Sequence, residues 1–280
     1  MQHIYVNFKR FDVPSQMGGV NRISDIASYA STIIPKCEKE LEKYKGKCEF
    51  VQFYPEAQIP SAVIAAKDSV IEIGCQSVYR QEVKVGGNFG AFTSNRPAAA
   101  AAALGCTAAL IGHCEERNDK NEILSLGGNT DRKVVNTILN KEVLAAQSRG
   151  LKVLYCVGEK DTELDEWDKV ITEQLEIGLK GADLSSVVIA YEPVWSIGPG
   201  KTPAGKEYIT KVAKLIKSVI GNVPVVYGGG LKEANAEMLS SIDEIDGGLI
   251  ALTRFTGEIG FYPDEYLRIV ELYMNGKENK

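Results

Sequence analysis

The chain has 280 residues, with 32 basic and 37 acidic side chains, a net charge of −5 and a pI near 5.3. That balance argues against broad electrostatic binding to nucleic acid or to anionic membranes, both of which need a basic footprint. His3 and His113 are the only histidines, so a His-rich metal site is excluded as well. Short β-like runs alternate with amphipathic stretches along the whole chain. Strands are expected at His3–Val6, Glu49–Phe53, Val70–Gly74, Thr107–Ile111, Lys152–Val157, Val187–Tyr191, Val223–Val226 and Gly248–Leu252. Helical spacing follows at Arg22–Leu41, Ser61–Ala66, Ala98–Leu104, Arg132–Ser148, Leu164–Leu179, Ala204–Ile220, Lys232–Leu239 and Asp264–Met274.

Strands separated by helices run parallel, because each crossover returns the chain to the same edge. The strands are apolar nearly throughout, as in V-V-I-A and G-L-I-A-L, which suits a sheet covered on both faces. Eight such units without a linker predict a single α/β domain over residues 1–280, a closed (β/α)8 TIM barrel. An open doubly wound sheet is the alternative. It usually carries a glycine fingerprint after the first strand, where this chain has Asn7-Phe8-Lys9. The thiols Cys37, Cys48, Cys75, Cys106, Cys114 and Cys156 form no C-x-x-C pair. Reduced, packed cysteines and a cytoplasmic location are therefore expected. Met1 to Arg10 has no signal-peptide pattern, and the longest uniform apolar run, Ala98–Leu104, is far short of the ~20 residues of a membrane span.

In such a barrel the residues just after each strand line the active-site mouth. The first strand ends in Asn7 and Lys9, the fourth in I-G-H-C-E-E-R, the sixth in A-Y-E-P-V-W-S-I-G-P-G-K-T, the seventh in Y-G-G-G and the eighth in A-L-T-R. Lys9, His113, Glu115 and Glu192 are thus expected at one mouth, beside glycine-rich turns. A carboxylate next to a histidine and a lysine suits proton abstraction from carbon beside a carbonyl. Glu192 would be the base, His113 would donate to the carbonyl oxygen and Lys9 would offset negative charge. Glycine turns expose N–H groups suited to phosphate. Taken singly, each residue has a plainer reading: a satisfied half-buried histidine, surface charges, ordinary turns. Their joint placement favours a site. Two decoys fail on spacing: G-P-G-K-T has Trp195 where a P-loop needs glycine, and Gly86-Gly87 lacks a dinucleotide fingerprint.

Strand by strand, the chain resembles the triosephosphate isomerase family, most specifically through A-Y-E-P-V-W-S-I-G-P-G-K-T. Supporting elements are V-N-F-K, G-A-F-T, I-G-H-C-E, C-V-G-E, Y-G-G and D-G-G-L-I. The family is itself a reference case for pKa tuning and lid closure. The resemblance implies Glu192 as catalytic base and His113 as neutral electrophile, with Asn7 and Lys9 on substrate and Glu115 behind them. It implies a mobile lid over Pro193–Pro203 with the Gly198 N–H on phosphate, and further phosphate contacts from Gly229, Gly230, Ala251 and Leu252. Ile197 and Leu249 match an apolar clamp over the base, for which core packing is the plainer reading. Thr93 matches an interface loop, implying a homodimer. No cofactor or metal is implied, and the partner is a small phosphorylated sugar.

The departures from the family pattern bear on substrate. Cys114 replaces serine, and Glu116 replaces arginine in G-H-S-E-R. Arg96 is expected to pair with Glu116 across the interface. The last lid position is Pro203, which has no N–H for Tyr227, and Gly230 replaces a serine that bonds the lid. Two missing bonds, each contributing roughly 0.5–1.5 kcal/mol, imply a lid held differently or slow turnover. Ala251-Leu252-Thr253-Arg254 replace the glycines of the phosphate loop. Arg254 either reaches phosphate, or is solvated or paired with an acid. The functional expectation is an aldose–ketose isomerase interconverting glyceraldehyde 3-phosphate and dihydroxyacetone phosphate. The alternatives are the same chemistry on another phosphorylated sugar, such as a tetrulose phosphate, or a phosphosugar-binding barrel of low activity. Loops at Phe11–Asn21 and Ser77–Asn88 and a polar tail after Asn275 take the chain beyond the ~250 residues typical of the barrel.

Overall fold

A computed structural model of the chain describes residues 1–197 and 201–278. Its strands are β1 (Gln2–Asn7), β2 (Cys48–Tyr54), β3 (Ile71–Gln76), β4 (Ala108–Ile111), β5 (Lys152–Val157), β6 (Val187–Tyr191), β7 (Val225–Tyr227) and β8 (Gly247–Ile250). All pair in parallel with their sequence neighbours, and β1 also pairs with β8, closing the barrel. Closure explains the glycines of D-G-G-L-I. A Cβ on Gly247 would stand 1.7 Å from the His3 carbonyl oxygen, and one on Gly248 would stand 2.6 Å from the Leu231 side chain. Alternate strand residues divide the core. Tyr5, Val51, Phe53, Leu110, Leu154 and Val226 fill the barrel interior. Their neighbours Ile4, Val6, Phe50, Ile73, Ile111 and Ile189 face the surrounding helices.

Those helices are α1 (Tyr29–Leu41), α2 (Ile59–Ala65), α3 (Ala98–Ala103), α4 (Cys114–Leu126), α5 (Arg132–Gln147), α6 (Trp167–Gly178), α7 (Lys206–Ile220), α8 (Ala236–Ser240) and α9 (Pro263–Glu278). No helix among the described residues is long and apolar enough to cross a membrane. The expected helix over Arg22–Leu41 begins only at Tyr29, after a 3-10 turn whose Asp25 side chain accepts the Ser28 N–H. Residues 276–278 of the expected tail form the last turn of α9, where Lys47 pairs with Glu278 at 2.7 Å. Helix α4 was not expected. Its sequence has no apolar stripe and buries only Arg117, so it lacks the period that marks the other helices. Its start is fixed by His113, whose ring accepts the Glu115 N–H as N-cap.

The amino-terminal end of the barrel is closed by a polar knot around Glu49. This carboxylate accepts hydrogen bonds from Tyr5 and Lys152 and lies 2.9 Å from Nδ1 of His3. Burial pushes the Glu49 carboxyl up, but the bonds from His3, Lys152 and Tyr5 outweigh it and bring it down from 4.5 to about 2. A depressed carboxyl contributes stability that is present above pH 4.5 and is lost as pH falls through 2. Replacing Glu49 with Gln is expected to remove roughly 2–3 kcal/mol at neutral pH. It should also flatten the acid limb of the stability curve between pH 4.5 and 2, measured by denaturant unfolding at stepped pH.

Candidate active site

Each expected site residue follows the carboxyl end of a strand, and the chain is shaped to bring several of them into contact. Asn7, 4% exposed, ends β1; its Oδ1 accepts the Lys9 N–H at 3.0 Å and so holds Lys9 in a turn with φ +43°. From there Lys9 Nζ reaches Glu115 Oε1 at 2.7 Å. Glu115 is 62% exposed, so water screens this pair and it serves to aim the lysine more than to stabilise the fold. Glu115 also lies 3.7 Å from His113 Nδ1, linking β1 to the start of α4.

Glu192 directly follows β6 and is 2% exposed. Its Oε2 accepts the Cys114 N–H at 2.9 Å, a bond from the amino-terminal turn of α4. Its Oε1 lies 3.0 Å from His113 Nε2 but off the ring N–H direction, and so has no hydrogen-bond partner among the described residues. Two glycines make room for this carboxylate. A Cβ on Gly158 would stand 1.7 Å from the Glu192 carbonyl oxygen, and one on Gly228 would stand 2.7 Å from Glu192 Cγ. These are the glycines of C-V-G-E and Y-G-G.

Two opposed influences act on His113. Its Nδ1 accepts the Glu115 N–H at 3.3 Å, which favours the neutral ring with its proton on Nε2. Burial also opposes the charged ring, but the Glu192 carboxylate beside Nε2 overrides it and pushes His113 up to about 10. In this arrangement the ring is held protonated beside the carboxylate. The neutral imidazole expected from the resemblance therefore requires Glu192 to turn away from the ring.

Glu159 ties the end of β6 and the turn after it to the start of α7. Its Oε1 accepts from Tyr191 Oη at 2.9 Å, Trp195 Nε1 at 2.7 Å and Tyr208 Oη at 3.1 Å. Burial raises the Glu159 carboxyl, and these three donors work against that rise. Tyr227 Oη is buried without a hydrogen-bond partner among the described residues, and burial pushes its hydroxyl up to about 12. The groups placed nearest to act on it are the Ser196 hydroxyl and the Ala204 N–H, one residue beyond Pro203. The tyrosine is thus directed past the proline. Gly229 lies under the same hydroxyl, since a Cβ there would stand 2.3 Å from it. Gly230 has φ +92° and holds Asn235 through its carbonyl at 3.0 Å. Gly198 and Pro199 lie outside the described residues.

Ala251 and Leu252 follow β8, which ends at Ile250. They lead into a small hairpin closed by Arg254 against Gly260 and joined to the enlarged first loop by Arg22 Nη1 on the Ile259 carbonyl at 3.0 Å. Arg254 pairs with Glu265 at 2.5 Å and stacks 3.8 Å over Tyr262, which settles its alternatives in favour of the acid. Leu249, 4% exposed, belongs to the barrel interior. The expected Arg96–Glu116 pairing gives way to partners within the chain. Arg96 donates to the Gln76 and Ser77 carbonyls, while Glu116 accepts from Ser77 Oγ, the Gly112 N–H and Lys120.

Two residues enter the site unannounced. Gln76, at the end of β3, donates to Asn7 Oδ1 at 3.2 Å and to the Lys9 carbonyl at 3.0 Å, bracing the lysine turn. Its position after a strand was the available signal. Arg117, 8% exposed, donates to the Gly112 and Cys156 carbonyls and to Asn136, fixing the turn that presents His113.

A (β/α)8 barrel with a buried carboxylate–imidazole pair at its carboxyl-terminal rim has the plan of a barrel enzyme. Comparison narrows the class. The family model for triosephosphate isomerase matches residues 22–258. Triosephosphate isomerase of Parasynechococcus marenigrum is 30% identical over 245 residues, covering 86% of this chain and 89% of that one. That of Synechococcus sp. (strain JA-2-3B'a(2-13)) is 35% identical over 215 residues, 75% and 76% of the two chains. The crystal structure of triosephosphate isomerase from Bartonella henselae superposes with a TM-score of 0.72 over 98% of this chain and 99% of that one, at 22% identity, and so speaks for the fold. The chain belongs to the triosephosphate isomerase family, and is an isomerase of the intramolecular oxidoreductase class.

The opposed influences on His113 give a direct test. Glu192→Gln removes the charge that raises the ring, so its pKa is expected to fall from about 10 to below the ordinary 6.5. An NMR titration reads this cleanly, because His3 is the only other histidine. A value that stays near 10 would assign the proton to another neighbour.

Proposed function

We propose that the chain interconverts glyceraldehyde 3-phosphate and dihydroxyacetone phosphate, with Glu192 as base. The observation that carries this reading is the buried Glu192 carboxylate 3.0 Å from His113 Nε2, at the mouth that also holds Lys9. Glu192 removes a proton from the carbon beside the carbonyl. The electron pair moves into a carbon–carbon double bond, and the carbonyl oxygen becomes an enediol(ate) oxygen facing His113 Nε2–H. His113 gives its Nε2 proton to that oxygen and takes up the proton of the neighbouring hydroxyl, and return of the carbon-bound proton to the adjacent carbon completes the exchange. Electrons leave and re-enter the same molecule, so the reaction is balanced without a redox partner. Lys9, braced by Asn7, Gln76 and Glu115, offsets the negative charge of intermediate and phosphate. Glycolysis and gluconeogenesis in the cytoplasm are the setting, a reading supported by six free thiols. A homodimer belongs to the same reading, supported by fully exposed Val85 and by Phe89, 85% exposed, on the loop that carries Thr93.

A second substrate, a tetrulose phosphate, is favoured by one observation. Loop bulk has replaced glycine where the family binds phosphate: Leu252 leads into a hairpin pinned to the first loop by Arg22. Assay against the triose phosphates and a tetrulose phosphate panel separates the two readings. Either way Glu192→Gln is expected to lower kcat by about 10²–10⁴. Equal turnover by the variant and the parent would remove Glu192 as base. For the dimer, Phe89→Asp is expected to shift sedimentation toward the monomer. An unchanged sedimentation profile would take Phe89 out of the interface.

A further inference from the structure

Cys114 stands where the family carries serine, and nothing in the proton transfer uses its sulfur. The side chain sits against both catalytic groups. Its Sγ lies 3.7 Å from His113 Nδ1, and its own N–H holds Glu192 Oε2. One ligand atom each from His113, Cys114 and Glu192 can be chosen with all three within 4.8 Å of one another. Metal–ligand bonds of about 2.0–2.3 Å place tetrahedral ligands roughly 3.3–3.8 Å apart, so side-chain rotation of about 1 Å completes the triangle. An independent observation points the same way: Glu192 Oε1, in a side chain 97% buried, has no hydrogen-bond partner among the described residues and faces His113 Nε2 at 3.0 Å. Imidazole, thiolate and carboxylate together are a zinc-type donor set. Cys114 also borders a cavity of about 360 Å³ that runs behind α4, giving the sulfur an approach besides the mouth.

We propose that His113, Cys114 and Glu192 form an inhibitory site for Zn²⁺, created in this chain by the thiol at position 114. Binding forms metal–nitrogen, metal–sulfur and metal–oxygen bonds and releases two protons to water, one from the thiol and one from the His113 ring, with solvent in the fourth position. The ion occupies the base and the electrophile at once, so it competes with substrate. A serine hydroxyl is a poor ligand for this ion, so the site depends on the sulfur. The inhibitory effect rests on the isomerase reading above, whereas the site itself does not.

The test therefore begins with binding. Full-length protein treated with chelator is titrated with Co²⁺, followed by the thiolate-to-cobalt absorption band and its displacement by Zn²⁺. Cys114→Ser and Cys114→Ala are compared, with circular dichroism to verify folding. The expected result is a band in the parent that is lost in both variants. Where turnover is measurable, the Zn²⁺ concentration for half-inhibition should rise at least 10-fold in Cys114→Ser, about 1.4 kcal/mol of binding. No band in the parent, or a band that persists in both variants, overturns the site whatever the substrate proves to be. A band with equal inhibition of parent and Cys114→Ser overturns the inhibitory role alone.

Discussion

A carboxylate buried beside an imidazole is costly to maintain, and much of this barrel's upper rim is arranged around that cost. Glu192 is compensated by one backbone N–H from α4 and by the adjacent ring, and is otherwise enclosed. The compensation depends on α4 beginning at position 114, which depends on His113 capping it and on Arg117 fastening the preceding turn. It depends equally on Gly158 and Gly228, because any side chain there would occupy the space of Glu192. The same helix terminus that steadies the base keeps the ring of the acid partner from charging once the base moves. One short helix start thus serves both catalytic groups.

The lysine side of the mouth is built by different means. Lys9 occupies a backbone conformation unfavourable to a side chain, and it remains there because Asn7 and Gln76 hold the turn from two strands. Its charge is directed by an exposed partner rather than a buried one, leaving the ammonium free to exchange Glu115 for an anionic ligand at little cost. The mouth therefore has a rigid, desolvated half around Glu192 and His113 and a wetter half around Lys9 and Glu115.

Much of this was legible in the sequence, for reasons that also mark where legibility stops. Apolar strand runs and amphipathic helices repeat along the chain, and barrel closure follows from their number and order. Helix α4 was hidden because its exposed face continues nearly all the way round, so no hydrophobic period betrays it. Lys9, His113 and Glu192 were readable from strand ends. Gln76 occupies the same kind of position, yet an amide carries no reactivity that sets it apart before its partners are known. Arg96 and Glu116 looked like an intermolecular pair because complementary charges in sequence say nothing of nearer partners. Ser77, Lys120 and two carbonyls proved to be those partners. Arg254 illustrates the same point, since Glu265 lies eleven residues onward and on another element.

The Glu159 cluster can be followed optically. The chain contains two tryptophans, and one of them, Trp195, donates its indole N–H to this buried carboxylate in the turn after β6. Any change that breaks this bond exchanges a shielded acceptor for water, and indole emission responds strongly to such an exchange. Trp167 packs against Tyr208, whose ring also meets Trp195 and whose hydroxyl also donates to Glu159, so both indoles sense the same cluster. The cluster thus supplies its own optical signal, readable without an attached dye.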